Sequence, residues 1–233
     1  MNGRDLAALC RGETDRMPLT PGWNWFCAGV VVAASGLYGA AVGWWQAPVQ
    51  ALYAAVKFPL LIFATVLGNA VLNGMLAQML GAPLTFRESL GAILMSFVIA
   101  TLMLAAFAPV ALVLAWSAPV TDCGYSVVLL THVAAIGYAG TAANVRLWHW
   151  LRQRCGNRRL AGRVLTAWLA GNLLVGTQVS WIISPFIGSP AKPVMFIQEH
   201  PFQRNFFEYA FERAVHLCNP NPTKGVSHGQ PSR

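Results

Sequence analysis

The sequence predicts an all-α fold: a polytopic transmembrane bundle of five helices, followed by a C-terminal amphipathic helix at the membrane surface. Hydrophobic residues make up 56% of the 233 residues and charged residues only 10%, whereas about a quarter of the residues of a soluble domain are charged. Five continuous apolar stretches each exceed or approach the roughly 20 residues that cross a hydrocarbon core. They lie at 25–45, 50–80, 90–117, 125–145 and 164–183. Because the stretches do not alternate with polar residues, we expect helices rather than a closed barrel.

These stretches divide the chain into four regions. We expect an N-terminal arm at 1–24, a five-helix transmembrane domain at 25–190, a tail at 191–218 that contains the amphipathic helix, and a disordered C-terminus at 219–233. In the tail, the helix is predicted at 205–217 because Phe206, Phe207, Phe211 and Leu217 share one side. Asn205 followed by Glu208 resembles a capping box.

The arginines predict the orientation of the bundle. Ten of them fall before the first span, after the second or after the fourth, whereas the other two gaps contain no basic residue. By the positive-inside rule, the N-terminus is cytoplasmic and the tail lies on the far side of the membrane. We therefore expect a multi-pass protein of the bacterial inner (plasma) membrane. The first span, which starts too late for a cleavable signal peptide, would serve as an uncleaved signal anchor.

The first span has a face of small residues. Gly36, Gly39, Ala40 and Gly43 are spaced so that another helix can approach closely. Packing within the chain is favoured over a dimer interface, because small residues are common in membrane helices.

The second span carries the most polar residues. A cation inside a membrane is a functional candidate by default. However, Lys57 lies within snorkelling reach of the headgroups, so we favour interfacial anchoring over a buried role. Asn69 and Asn73 are four residues apart and share a helix face, which indicates hydrogen bonding between helices.

Spans four and five add further polar residues. A lone intramembrane histidine such as His132 is more often satisfied by a neighbouring helix than used as a proton relay. Together the polar residues of spans two, four and five form a candidate intramembrane site: Lys57, Asn69, Asn73, His132, Asn144, Asn172 and Gln178.

The stretch 146–163 is the most basic part of the chain. Arg152, Arg154, Arg158 and Arg159 are candidates for contact with anionic lipid or with a partner, although topology alone would explain them. Cys123 and Cys218 are both predicted on the far side, where a disulfide between them can persist if the compartment is oxidising. Two unrelated thiols are the alternative. No Cys/His spacing typical of zinc ligands occurs, so no metal site is predicted.

Three runs of sequence resemble a known family. AVKFPLL at 55–61, GTQVSW at 176–181 and SPFIGSP at 184–190 are similar to uncharacterised bacterial five-span proteins that are grouped with YIP-type membrane proteins. Ser184 stands where that pattern would have a basic residue. The resemblance implies an integral membrane protein without known catalysis, and it supplies no active site and no cofactor.

We therefore expect a non-enzymatic integral membrane protein, either a scaffold or an accessory subunit of a membrane complex. Its partners would be the bilayer and other membrane subunits, and not nucleic acid, since no basic stripe is interleaved with stacking aromatics. The alternative is a small-molecule or ion transporter or channel, although five spans do not divide into inverted repeats. Catalysis by paired carboxylates is disfavoured, because Glu88 and Asp122 are the only acidic residues between the arm and the tail.

Overall fold

The computed structural model describes residues 21–188 and 194–197, and this part of the chain contains five α-helices and no strand. The helices are α1 (Pro21–Gly43), α2 (Pro48–Met79), α3 (Phe86–Ser117), α4 (Asp122–Cys155) and α5 (Arg158–Ile183). The first four are long and apolar enough to cross a membrane. The all-α, multi-pass membrane architecture is therefore confirmed.

Helix α5 does not meet the same criterion of length and composition. It has 26 residues, but Asn172, Thr177 and Gln178 interrupt its apolar run. Five helices are present, and the crossing of the membrane by α5 stays a prediction. The predicted amphipathic helix at 205–217 lies outside the described residues, as do the arm at 1–20 and Cys218.

The basic stretch between the fourth and fifth apolar segments is helical almost throughout. α4 continues ten residues beyond the predicted end of its span, to Cys155, and α5 begins at Arg158. Gly156 ends α4 with a φ of 63°, in the left-handed region that glycine adopts without strain. The Asn157 side chain then accepts a hydrogen bond from the backbone N–H of Arg159 and caps α5. The arginines are thus held on two rigid helix ends.

Two buried clusters lie at the two ends of the bundle. The basic end, defined by the C-termini of α2 and α4 and the N-termini of α3 and α5, contains the cluster around Trp23, Trp150 and Trp168. The opposite end contains the cluster around Tyr38, Trp45, Phe58 and Ile187. There the indole Nε1 of Trp45 donates to the Ala118 carbonyl at 3.2 Å, which ties the loop after α1 to the loop after α3.

The small-residue face of α1 packs against α2. A Cβ atom added to Gly39 would lie 2.6 Å from the Ala54 carbonyl oxygen, and one added to Gly43 would lie 2.6 Å from the Gln50 carbonyl oxygen. At Gly36 the corresponding distance, to the carbonyl oxygen of residue 55, is 3.3 Å. Ala40, beside them, is half-buried. The glycines therefore permit a close approach of two helices within the chain.

Candidate functional site

After α5 the chain turns back into the bundle. Residues 184–188, which we term the return segment, form no helix, and Ile187 and Gly188 are buried. Lys57 Nζ donates to the Pro185 carbonyl oxygen at 2.7 Å. Gln50 Nε2 lies 3.1 Å from the same oxygen and 3.0 Å from the Phe186 carbonyl oxygen. Two side chains of α2 thus satisfy the main chain of the return segment.

The depth of this contact explains the need for these donors. Lys57 lies about 14 Å along α2 from Pro48 by helical rise. Irregular backbone at such depth is tolerated only where protein groups satisfy its N–H and C=O groups, and an unpaired buried carbonyl costs about 1–3 kcal/mol. Lys57 and Gln50 supply the missing donors.

The expectation that Lys57 anchors α2 at the interface is wrong. Its side chain is 0% exposed, and its nitrogen ends on a carbonyl inside the protein. A snorkelling lysine needs a path to water, which the return segment closes. Sequence pattern could not show this, because the covering residues follow more than a hundred positions later in the chain.

Aromatic rings surround the lysine nitrogen. Nζ lies 6.0 Å from the ring centroid of Phe186 and 5.1 Å from that of Phe196. Phe196 also meets Tyr53 edge to face, with ring centroids 5.1 Å apart. An ammonium group over aromatic faces is attracted by the ring quadrupole, more strongly where water is excluded. These contacts add to the attachment of residues 184–188 and 194–197 to α2.

His132 of α4 has a partner on α1. Its Nδ1 lies 3.0 Å from the hydroxyl oxygen of Tyr38, and the two rings stack with centroids 5.5 Å apart. Phe58 packs edge to face against the imidazole, and Phe186 packs against Phe58. A neighbouring helix satisfies this histidine, which is the arrangement that the sequence favours. The imidazole joins α1, α2 and α4 around the return segment.

The asparagines form a separate layer between α2 and α5. Asn73 Nδ2 donates to Asn172 Oδ1 at 3.3 Å, and the indole Nε1 of Trp168 donates to the Asn73 carbonyl oxygen at 2.8 Å. Gly171 of α5 faces the side-chain oxygens of Asn69 and Asn73, since a Cβ added there would lie 3.2 and 3.5 Å from them. The polar side chains hold α5 against α2.

The seven predicted polar residues therefore do not form one site. Lys57 and Asn69 lie on the same helix about 18 Å apart by helical rise. His132 packs against Phe58, beside Lys57, and does not reach the asparagines. Asn144 donates to the Gly140 carbonyl of its own helix at 2.8 Å. Gln178 is half-buried on α5, and no hydrogen bond joins it to the asparagines of the described chain.

Three participants were missing from the predicted set. They are Gln50, which marks only the start of the second predicted span, and Tyr38 and Trp168, which lie in spans one and five without being predicted as site residues. Only Gln50 had a usable pattern: it lies seven residues before Lys57, which places both side chains on one helix face. The roles of Tyr38 and Trp168 depend on tertiary contacts alone.

The basic residues separate into two groups. Arg154 Nη1 lies 3.1 Å from Glu88 Oε1, and its guanidinium lies 5.6 Å from the Trp150 ring. Arg158 and Arg159 instead line an open groove of about 1500 Å³, together with Arg163. Arg152 is exposed and does not line this groove. The predicted disulfide cannot be placed, because Cys218 lies outside the described residues, while Cys123 is exposed.

A small pocket lies beside the His132 contact. A void of about 30 Å³ lies between α1, α3 and α4, next to Tyr38 and His132, and this volume is that of about one water molecule. Within residues 21–188 and 194–197, no three His, Cys, Asp or Glu side chains are grouped as metal ligands would be.

Comparison with known proteins gives no relative. No protein-family model, no curated protein and no solved structure matches this chain. The similarity to YIP-type membrane proteins remains a prediction from the three sequence runs.

Proposed function

We propose that this chain is a non-enzymatic integral membrane protein that acts as a scaffold or accessory subunit of a membrane complex. One observation carries the proposal: Lys57 and Gln50, buried polar groups of the kind that a translocated solute would require, donate to carbonyls of the return segment. These groups are used to hold the chain's own backbone, and this use supports a structural role.

The alternative of a transporter or channel has less support. A transport path requires polar groups and space that follow one another across the membrane, as in the midplane sites of secondary transporters. In the described chain, Lys57 and the asparagine layer that begins at Asn69 are separated by about 18 Å of helical rise along α2. The partly open pocket beside His132 has room for about one water molecule.

The fourth helix supports a role in assembly. Only 22% of its most apolar stretch is buried within the chain, against 50% for α1. Gly137 and Gly140 face open space, since no heavy atom lies within 4 Å of a Cβ built at either position. Small residues on a helix face allow a second transmembrane helix to approach closely. The partner that fits is a membrane subunit that supplies such a helix.

The proposal includes a specific placement. We propose that α5 crosses the membrane as a fifth span, held by its contacts with α2, and that the protein resides in the bacterial inner membrane. Its basic end is cytoplasmic by the positive-inside rule, and residues 194–197 lie on the far side. Two features support a crossing by α5. It has 26 residues, and the return segment that follows it is bound at the end of the bundle opposite the arginines.

Purification of the tagged full-length chain in a mild detergent, with mass spectrometry of copurifying proteins, tests the proposal. We expect a stoichiometric membrane partner. The double variant Gly137→Leu, Gly140→Leu should lose this partner while the chain itself stays folded, because a Cβ atom at either position has no neighbour within 4 Å.

The matched control is Gly29→Leu on α1, where a Cβ also meets nothing within 4 Å. This control should retain the partner. Recovery of the wild-type chain alone as a monodisperse species, or equal partner loss in both variants, would count against the assembly role. A chain recovered alone whose thermal stability rises with a small solute would favour transport.

A further inference from the structure

The groove at the basic end has two chemically different parts. Arg158, Arg159 and Arg163, on the first two turns of α5, form one wall. The floor is apolar and contains Leu76 and Met79 from the end of α2, with Ala167 and Ala170 from α5. Trp148 of α4 forms the remaining side. The groove therefore has basic side chains at one end and an apolar surface along the rest of its length.

The arginines of this wall have no carboxylate partner within the described chain. The ion pair at this end of the described chain joins Arg154 to Glu88, and neither residue lines the groove. All three arginines of the groove are exposed, and so are Met79 and Ala170 on the floor. The guanidinium group binds phosphate in a bidentate manner, so the wall is complementary to an anion. The apolar floor is complementary to a hydrocarbon chain rather than to a polar peptide.

We propose that this groove binds one anionic phospholipid, with its phosphate at Arg158, Arg159 and Arg163 and one acyl chain along the floor. The position agrees with a lipid, because the groove lies at the end of helices that cross the membrane. Trp148 lies at the same level, where amphipathic indole rings are enriched. The N-terminus of α5, capped by Asn157, opens toward the same wall and contributes a favourable partial positive charge. The proposal does not depend on the scaffold role.

Native mass spectrometry of the full-length protein in detergent tests this site. The probes are a phosphatidylglycerol and a phosphatidylcholine with identical acyl chains. We expect a single bound phosphatidylglycerol and no comparable adduct with phosphatidylcholine. Sodium phosphate and glycerol 3-phosphate, which lack acyl chains, should not displace the lipid.

Two pairs of variants separate the groove from general surface charge. Arg159→Gln with Arg163→Gln should weaken phosphatidylglycerol binding roughly thirtyfold, from about one kcal/mol per basic residue. Arg146→Gln with Arg152→Gln removes the same charge from the same end but outside the groove, and should leave binding unchanged. Ala170→Trp should also weaken binding by filling the floor, whereas Leu174→Trp, one turn further along α5, should not.

Three results would overturn the proposal. Equal loss in both arginine pairs would mean that only the net charge of the surface attracts lipid. Equal binding of the two lipids would mean that the arginines do not select an anionic headgroup. Displacement by inorganic phosphate would identify a free anion, and not a lipid, as the occupant.

Discussion

At the scale of single residues, the most informative position is Lys57. A lysine inside a membrane helix is expensive, and this one is compensated by the Pro185 carbonyl and by the rings of Phe186 and Phe196. The cost of the cation is offset by the backbone group that it satisfies. Lys57 therefore holds the return segment against α2.

Replacement of Lys57 by Met should lower the free energy of unfolding by about 1.5–3 kcal/mol, the net contribution of a hydrogen bond from a charged donor, while Gln50 Nε2 remains 3.1 Å from the Pro185 carbonyl oxygen. The measurement is unfolding of the purified protein in detergent with increasing denaturant. Val56→Met, at a neighbouring position that is 51% exposed, is the control and should be neutral. Wild-type stability in the lysine variant would mean that Lys57 does not hold the return segment.

The sequence predicted the identity of several site residues and, for His132 and Asn73, that another helix would supply a partner, but it did not predict which one. Lys57, Asn73, Asn172 and His132 were all singled out because polar side chains in apolar helices need a partner. Periodicity along one helix cannot show which other segment supplies that partner. This is why the lysine was assigned to the headgroups and why Tyr38 was overlooked.

At the scale of helices, apolar length predicted the four helices that are long and apolar enough to cross a membrane, but it missed the start of α3 and the end of α4. Composition marks the lipid-facing part of a helix, whereas α4 continues through Arg146, Arg152 and Arg154 to Cys155. Helix α3 likewise begins at Phe86, where Thr85 and Glu88 form a capping box. This Thr-x-x-Glu pattern is readable from sequence. It would have placed the start of α3 four residues earlier.

The contact between α1 and α2 can be tested with two glycines of one helix. Gly39→Ala places a methyl group 2.6 Å from a backbone oxygen of α2, and such overpacking costs about 1–3 kcal/mol. Gly29→Ala adds the same methyl group where nothing lies within 4 Å, so it should be neutral or slightly stabilising. The readout is the free energy of unfolding in detergent. Equal effects of the two changes would contradict the close approach of α1 to α2.

At the scale of the whole molecule, the bundle is joined by contacts between distant parts of the chain. The return segment after α5 binds the first half of α2, and Asn172 of α5 binds the second half through Asn73. The five helices of the described chain and the membrane character of α1 to α4 followed from composition, whereas the placement of α5 depended on these specific hydrogen bonds.

A crossing by α5 makes a definite prediction for labelling of intact cells with a membrane-impermeant thiol reagent. In a cysteine-free background, Val120→Cys and Phe196→Cys should both be labelled, and Arg152→Cys should be labelled only after lysis. Val120 and Arg152 are the controls, because both are exposed and lie at opposite ends of the bundle. If residue 196, like residue 152, is labelled only after lysis, α5 does not cross the membrane.

The most direct test of the assembly role is photo-cross-linking in cells. A benzoylphenylalanine placed at residue 140, on the open face of α4, should give one discrete product that contains a second membrane protein. The same group at residue 29, on the open part of α1, should give none. At both positions a Cβ atom has no neighbour within 4 Å. Discrete products at neither position, or identical products at both, would contradict the proposal that α4 presents this chain to a partner.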